Sequence, residues 1–393
     1  TELTREKTPW LVRDVKWTPY MSKRAVIWLS EKLGKAIMTL DESDFFRNHL
    51  HSLVHAYNTV DDLTREVFED LRRRIVYRDQ LVKKKKVILF SPHPDDDVIS
   101  MGGMLDKLVQ NGNDVTVAYM TNGSVAVFDA DVRRALRFVD MSQQALSITG
   151  KEADSFAQRH KKILNFLDKK QPGQIDEPEI QAIKAHIRYA EAIAGIEVMG
   201  LDEKNARFLD MPFYKTGTVQ KAPVSEADVK VVLDLLNELN PDHVFVAGDL
   251  SDPHGTHRMC YVAIRDAIRA YKTQHATPTN GEEVKEPKKK KAAKETANPD
   301  GPLVWLYRGA WQEWEIHNAD VFLPMSKGDL HRKVEAIFKH ESQKDRAMFP
   351  GAYDIREFWQ RARDRNTDTA RSLNELGLPE FYAAEAFVTT YDL

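Results

Sequence analysis

The sequence predicts an α/β fold, a mostly parallel sheet between two helical layers, and two patterns carry that prediction. Short apolar runs recur along the chain without polar alternation, as strands buried on both faces require. Between several of them lie segments of helical periodicity, and strands that alternate with helices build βαβ units. The first run is Val87-Ile88-Leu89-Phe90, closed by Ser91-Pro92-His93-Pro94. A helix should begin after Asp97 and carry Met104, Leu105, Leu108 and Val109 to a stop at Gly112. The second strand spans 115–119, and later strands are expected at 198–201, 243–247, 303–307 and 321–323. Helices are expected at 178–194, 227–239 and 257–271. Together these make a Rossmann-like three-layer α/β/α domain over residues 83–393.

What precedes and interrupts this rhythm is helical or polar. Residues 1–82 are highly charged, with apolar residues at helical spacing over 22–35 and 40–76, and form an N-terminal helical or linker segment. Residues 126–177 form a polar, helix-prone insertion that contains Gln171-Pro172-Gly173. A second insertion, 276–302, holds Pro278, Gly281 and the run Lys288 to Lys291, a composition suited to a surface excursion. Deleting 282–294 should therefore leave activity intact.

Composition narrows the function. At 393 residues the chain can hold one large domain and an appendage. Its net charge of −3 gives no electrostatic footprint for nucleic acid, and Glu282, Glu283, Glu286 and Glu295 offset the lysine run. No stretch approaches the roughly 18 apolar residues of a membrane span. The first residues lack a signal-peptide core, so a cytoplasmic location is expected. The single cysteine, Cys260, excludes an intramolecular disulfide and any multi-cysteine zinc knuckle. A metal site here must therefore use His, Asp or Glu.

Two segments offer such ligands. His93-Pro94-Asp95-Asp96-Asp97 follows the first strand, where ligands of open α/β sheets bind. Three adjacent carboxylates repel one another unless a cation or hydrogen-bond donors offset them. The alternative is an aspartate-rich turn capping the next helix, a role open to Asp97. Asp249-Leu250-Ser251-Asp252-Pro253-His254-Gly255-Thr256-His257 follows the strand at 243–247, and its two histidines stand three apart. A His, an Asp and a second His from two strand ends, with a fourth position open, is the donor pattern of catalytic zinc. His51 and His55 stand four apart without an intervening metalloprotease glutamate and read as packing or surface residues. His186, His317 and His331 are isolated.

With these motifs the chain resembles the PIG-L/LmbE family of N-acetylglucosaminyl deacetylases. The first family signature is matched by Ser91-Pro92-His93-Pro94-Asp95-Asp96-Asp97, with Asp97 where Glu is commoner. Gly102-Gly103, Thr121-Asn122-Gly123 and the segment from Arg188 and Glu191 to Ile196-Glu197-Val198-Met199-Gly200-Leu201 follow in order. The second signature appears as His254-Gly255-Thr256-His257, with Thr256 in place of an Asp. A lysine-bearing helix is matched by Lys333 through His340-Glu341-Ser342-Gln343. Thr4 to Leu11 and Ala25 to Ser30 are similar to the linker of long bacterial proteins in which a glucosamine-6-phosphate deaminase-like half precedes a PIG-L-like half.

The resemblance implies a zinc-dependent deacetylase acting on an N-acetylglucosamine-type amino sugar. It assigns Zn²⁺ to His93, Asp96 and His257, the general base to Asp95, and oxyanion stabilisation or leaving-group protonation to His254. Arg188 and Asn122 are the candidate sugar or phosphate contacts, with Arg188 alternatively pairing with Glu191. The partner is a small amino sugar, with a covalently fused deaminase-like domain in a longer polypeptide, and nothing in the sequence bars a homo-oligomer. Two other readings use the same site: an amidase for another sugar conjugate, and a non-catalytic sugar-binding module with a structural metal.

Overall fold

The computed structural model describes residues 16–215, 220–248, 250, 255–275, 301–309, 312–343 and 356–393. His254, Asp249 and residues 276–300 of the second insertion lie outside them.

The N-terminal segment folds as helices α1 (Pro19–Leu33), α2 (Glu42–Arg47), α3 (His51–Val54) and α4 (Val60–Arg73). The periodicity over 40–76 is thus divided among three helices: polar side chains start α2 and α4, and His49 turns the chain at φ 61° before α3. Asp41 and Asp44 form a capping box at α2, and Thr59 accepts the Asp62 amide at α4. His51 stacks on Phe46 at a centroid distance of 4.6 Å, which is the packing role expected of it.

The sheet then begins with β1 (Lys86–Ser91), followed by α5 (Asp96–Gln110) and β2 (Asp114–Tyr119). The first insertion is a hairpin of α6 (Asp129–Ala145) and α7 (Lys151–Lys169). It carries a small core of Val132, Leu136, Ile163 and Leu167 on Ile180 of α8 (Pro178–Val198). The strand expected at 198–201 is not one. Helix α8 continues through Val198, and Gly200 turns the chain at φ 86°. The strand falls later, at β3 (Ala206–Phe208). Its three residues are too short for a periodicity signal. Next come α9 (Glu226–Leu239), β4 (His243–Ala247), α10 (Thr256–His275), β5 (Leu303–Tyr307), β6 (Val321–Met325) and α11 (Lys327–Ile337). Two elements not expected from the sequence close the chain, α12 (Phe358–Glu375) and β7 (Ala383–Thr390).

Among the described residues the sheet has seven strands in the order β3-β2-β1-β4-β5-β7-β6. The first five are parallel, and β7 runs antiparallel to both β5 and β6. Along β1, Val87 and Leu89 enter one core, with α5 and α8, while Ile88 and Phe90 enter the other, with α9 and α10. Burial on both faces is why β1 lacks polar alternation, and it confirms the three-layer architecture. The N-terminal helices share a third core with α12, β6 and β7. Strand order reverses between β1 and β4, and an open α/β sheet places its ligand crevice at such a point.

Candidate functional site

The loop after β1 is folded by its own polar atoms. Ser91 Oγ donates to the His93 carbonyl at 2.6 Å and accepts the Asp97 amide at 3.1 Å. The Asp95 and Asp96 amides also donate to that carbonyl. These bonds turn the chain sharply enough for the Asp96 carboxylate to reach back to His93. Asp96 Oδ2 accepts the His93 amide at 2.9 Å and lies 3.1 Å from His93 Nδ1.

The same oxygen lies 3.2 Å from His257 Nε2. His257 is buried in the first turn of α10, on the far side of the switch point. One ligand atom each from His93, Asp96 and His257 fall within 4.8 Å of one another. Burial alone would raise the Asp96 carboxyl, but His257 and His93 beside it hold it well below the usual carboxylate range.

Asp95 and Asp97 take different directions from Asp96. Asp95 Oδ2 pairs with Arg188 Nη2 at 3.0 Å, and the same nitrogen donates to the Pro94 carbonyl at 3.0 Å. Arg188 is only 1% exposed, so this is a buried ion pair. Its Nε and Nη1 have no hydrogen-bond partner among the described residues. The alternative pairing with Glu191 is not made: Glu191 accepts the Ser342 amide and hydroxyl, both at 2.7 Å. Asp97 lies inside α5, past its N-cap residue Asp95. It is fully buried and accepts the Tyr119 hydroxyl at 2.9 Å. Burial, with the charges of Asp95 and Asp96, pushes its carboxyl up to about 7.

Asn122 sits on the rim at the end of β2. It donates to Asp210 Oδ1 at 3.1 Å and accepts the Ser124 amide at 3.0 Å. Asp210 also accepts the Tyr189 hydroxyl at 2.6 Å and holds φ at 45°, in the left-handed region. Sequence reasoning passed over Asp210, since an aspartate between Leu209 and Met211 belongs to no motif. It also passed over His340 as a site neighbour. His340 is buried close enough to Asp95 and Arg188 to feel both charges, and burial pushes its imidazole down to about 4. The structure thus gathers His93, Asp95, Asp96, His257 and Arg188 at one crevice, with Asn122 on the β2 side of it.

Residues 88–268 match the family model described as GlcNAc-PI de-N-acetylase, PIG-L. Over 98% of its length the chain is 39% identical to a glucosamine-6-phosphate deaminase-like protein of Bacteroides thetaiotaomicron, and the match covers 57% of that protein. The chain therefore spans little more than half the length of this relative. A segment amounting to 24% of the chain is 30% identical to diacetylchitobiose deacetylase of Thermococcus kodakarensis, covering 41% of it. Among solved structures, the N,N'-diacetylchitobiose deacetylase of Pyrococcus horikoshii superposes with a TM-score of 0.44 at 19% identity, over 83% of this chain and 92% of that one. No helix among the described residues is long and apolar enough to cross a membrane.

Proposed function

With residues 88–268 forming a PIG-L domain, we propose that this protein is a zinc-dependent deacetylase that hydrolyses the N-acetyl group of an N-acetylglucosamine-type amino sugar. The observation that carries the reading is the convergence of His93, Asp96 and His257 at the switch point, with Asp95 next to them.

The donor set fits the ion. Zinc takes imidazole nitrogens and carboxylate oxygens at about 2.0–2.2 Å in a tetrahedral arrangement, which puts two ligand atoms roughly 3.3 Å apart. Both Asp96–histidine pairs already stand near that separation, at 3.1 and 3.2 Å. Two imidazoles and one carboxylate also leave a coordination position for water or substrate. Bound there, zinc would supply a Lewis acid for the acyl oxygen and an acidified water.

The remaining chemistry belongs to the protein's own side chains. Asp95 takes the proton of the attacking water and passes it to the departing amine. Arg188 holds one oxygen of that carboxylate and so fixes its direction. The two unpaired Arg188 nitrogens and the Asn122–Asp210 pair remain the sugar-contact candidates. His254 would stabilise the oxyanion. In the longer polypeptide, a deaminase-like half would use the amine that this half produces, consistent with the length of the Bacteroides relative.

Acetate release from N-acetylglucosamine, its 6-phosphate and N,N'-diacetylchitobiose, measured with metal content, tests the reading. Release that requires stoichiometric metal supports it. A zinc-loaded protein that frees no acetate from any of the three substrates contradicts it and favours a binding module.

A further inference from the structure

Helix α5 carries Asp96 in its first turn, yet it is two helical pieces. Met101 sits at φ −141° and ψ 31°, outside helical geometry. In an unbroken helix the Gly103 amide would bond the Ile99 carbonyl and the Met104 amide the Ser100 carbonyl. Neither bond is needed here, because other side chains satisfy all four groups. The Gly103 and Met104 amides donate to Glu385 Oε1 and Oε2 at 2.9 and 2.7 Å. The Ile99 and Ser100 carbonyls accept from Arg365 Nη2 at 2.9 and 3.1 Å. A carboxylate and a guanidinium have thus been inserted into the opened helical ladder, one on each side of the break.

The insertion is built and charge-balanced. Glu385 is fully buried in β7, and Lys333 Nζ pairs with it at 2.6 Å while donating to Asn366 at 2.8 Å. Arg365 is anchored by the Gly309 carbonyl and by Glu313, 3.4 Å from its Nε. Gly102 and Gly103 make room for it. A Cβ on Gly103 would lie 2.2 Å from Met325 Sδ and 3.1 Å from the Glu385 carboxylate. One on Gly102 would lie 3.0 Å from the Lys333 chain.

We propose that Glu385 and Arg365 are positioning residues of the metal centre. By splitting α5 they set the axis of its first turn independently of the rest of the helix, and so fix where the Asp96 carboxylate meets His257. The proposal rests on the metal reading above for its functional consequence. Kinks of this kind arise where side chains enter the i→i−4 ladder, and a displacement of Asp96 acts on a ligand directly.

Two variants of the full chain test it. Glu385→Leu with Lys333→Met removes the buried pair without stranding a charge, and Arg365→Met removes the other insert while keeping that pair. In each, crystal structures should show the 103→99 and 104→100 bonds partly or wholly restored, with Asp96 Oδ2 moved from its 3.2 Å separation from His257 Nε2. The zinc dissociation constant, read by competition with a chelator, should rise about 10-fold or more, and kcat should fall with KM little changed. If Arg365→Met folds and binds zinc as tightly as the parent, with α5 still broken, the proposal is overturned. If the double variant fails to fold, Arg365→Met decides alone. Failure of the metal reading looks different: the parent would bind no zinc, and the Asp96–His257 separation in the variant crystals would still test the positioning.

Discussion

Replacing Asp95 separates two consequences that the structure predicts for one residue. Its carboxylate faces a guanidinium at 3.0 Å, and both side chains are almost wholly buried. Removing one member of such a pair costs about 3–5 kcal/mol, because the remaining charge is left uncompensated. Unfolding entropy of about 2.1 cal/mol/K per residue gives a 393-residue chain about 0.8 kcal/mol/K, so that cost is a melting-temperature drop of roughly 4–6 °C. Asp95→Ala should show that drop in full. Asp95→Asn keeps an oxygen that can accept from Arg188 and should show a smaller one. Both variants lose the proposed proton acceptor, so acetate release should fall by about 10² or more in each, with zinc content unchanged. Calorimetry, metal analysis and the acetate assay on the same preparations separate the two effects. An Asp95→Asn protein with near-normal turnover would refute the general-base role. Loss of zinc alongside activity would make Asp95 a ligand instead.

Three further expectations follow from the same geometry. His257→Ala removes one of three converging ligand atoms and should abolish stoichiometric zinc by mass spectrometry; a fully loaded variant would contradict the assignment. Gly103→Ala forces a methyl against Met325 Sδ and Glu385 and should destabilise by about 1–3 kcal/mol in urea unfolding, whereas Gly112→Ala, with open space around it, should show only the strain of its positive φ. Glu313 keeps only 10% of its side chain exposed, and desolvation pushes its carboxyl up to about 7 from 4.5. A raised folded-state pKa means the native state holds the proton longer than the unfolded chain does, so stability is lost as pH rises between about 4.5 and 7. Glu313→Gln should therefore gain about 3 kcal/mol on the parent protein between pH 4.5 and pH 8, read as the difference of their urea-unfolding free energies. A constant difference across that range would contradict the burial argument.

The parts of this molecule legible in its sequence are those set by local pattern. Strands buried on both faces announce β1, β2, β4 and β5, and the rule that ligands sit at strand ends points to the segments 93–97 and 249–257; choosing His93, Asp96 and His257 within them takes the family resemblance, and the fold brings those three together. Strand β7 was hidden because its sequence, Ala-Ala-Glu-Ala-Phe-Val-Thr-Thr, begins with alanines and a charge, poor strand formers at an interior position. That charge is Glu385, and it is there because of α5, 282 residues away along the chain. Likewise Arg188 sits at helical spacing from Glu191, so the sequence offers a pairing within one helix, whereas its buried partner Asp95 comes from another element.

The same contrast explains what the family motif contains. Gly102-Gly103 falls inside a helix, where glycine is unfavourable by roughly 1 kcal/mol per residue. Local propensity counts that as a defect. The physical reason lies in the approach of Lys333, Met325 and Glu385 from three other elements, which any side chain at these positions would block. Helix α5 therefore gives up its most regular local structure at the point where β7, α11 and α12 reach it. In exchange, the turn that bears Asp96 is held by groups that belong to the whole fold rather than to the helix. A site of this kind can be located from sequence, because its candidate ligands lie in local motifs, but its support cannot, because Lys333, Arg365 and Glu385 reach α5 from elements more than 200 residues further along the chain.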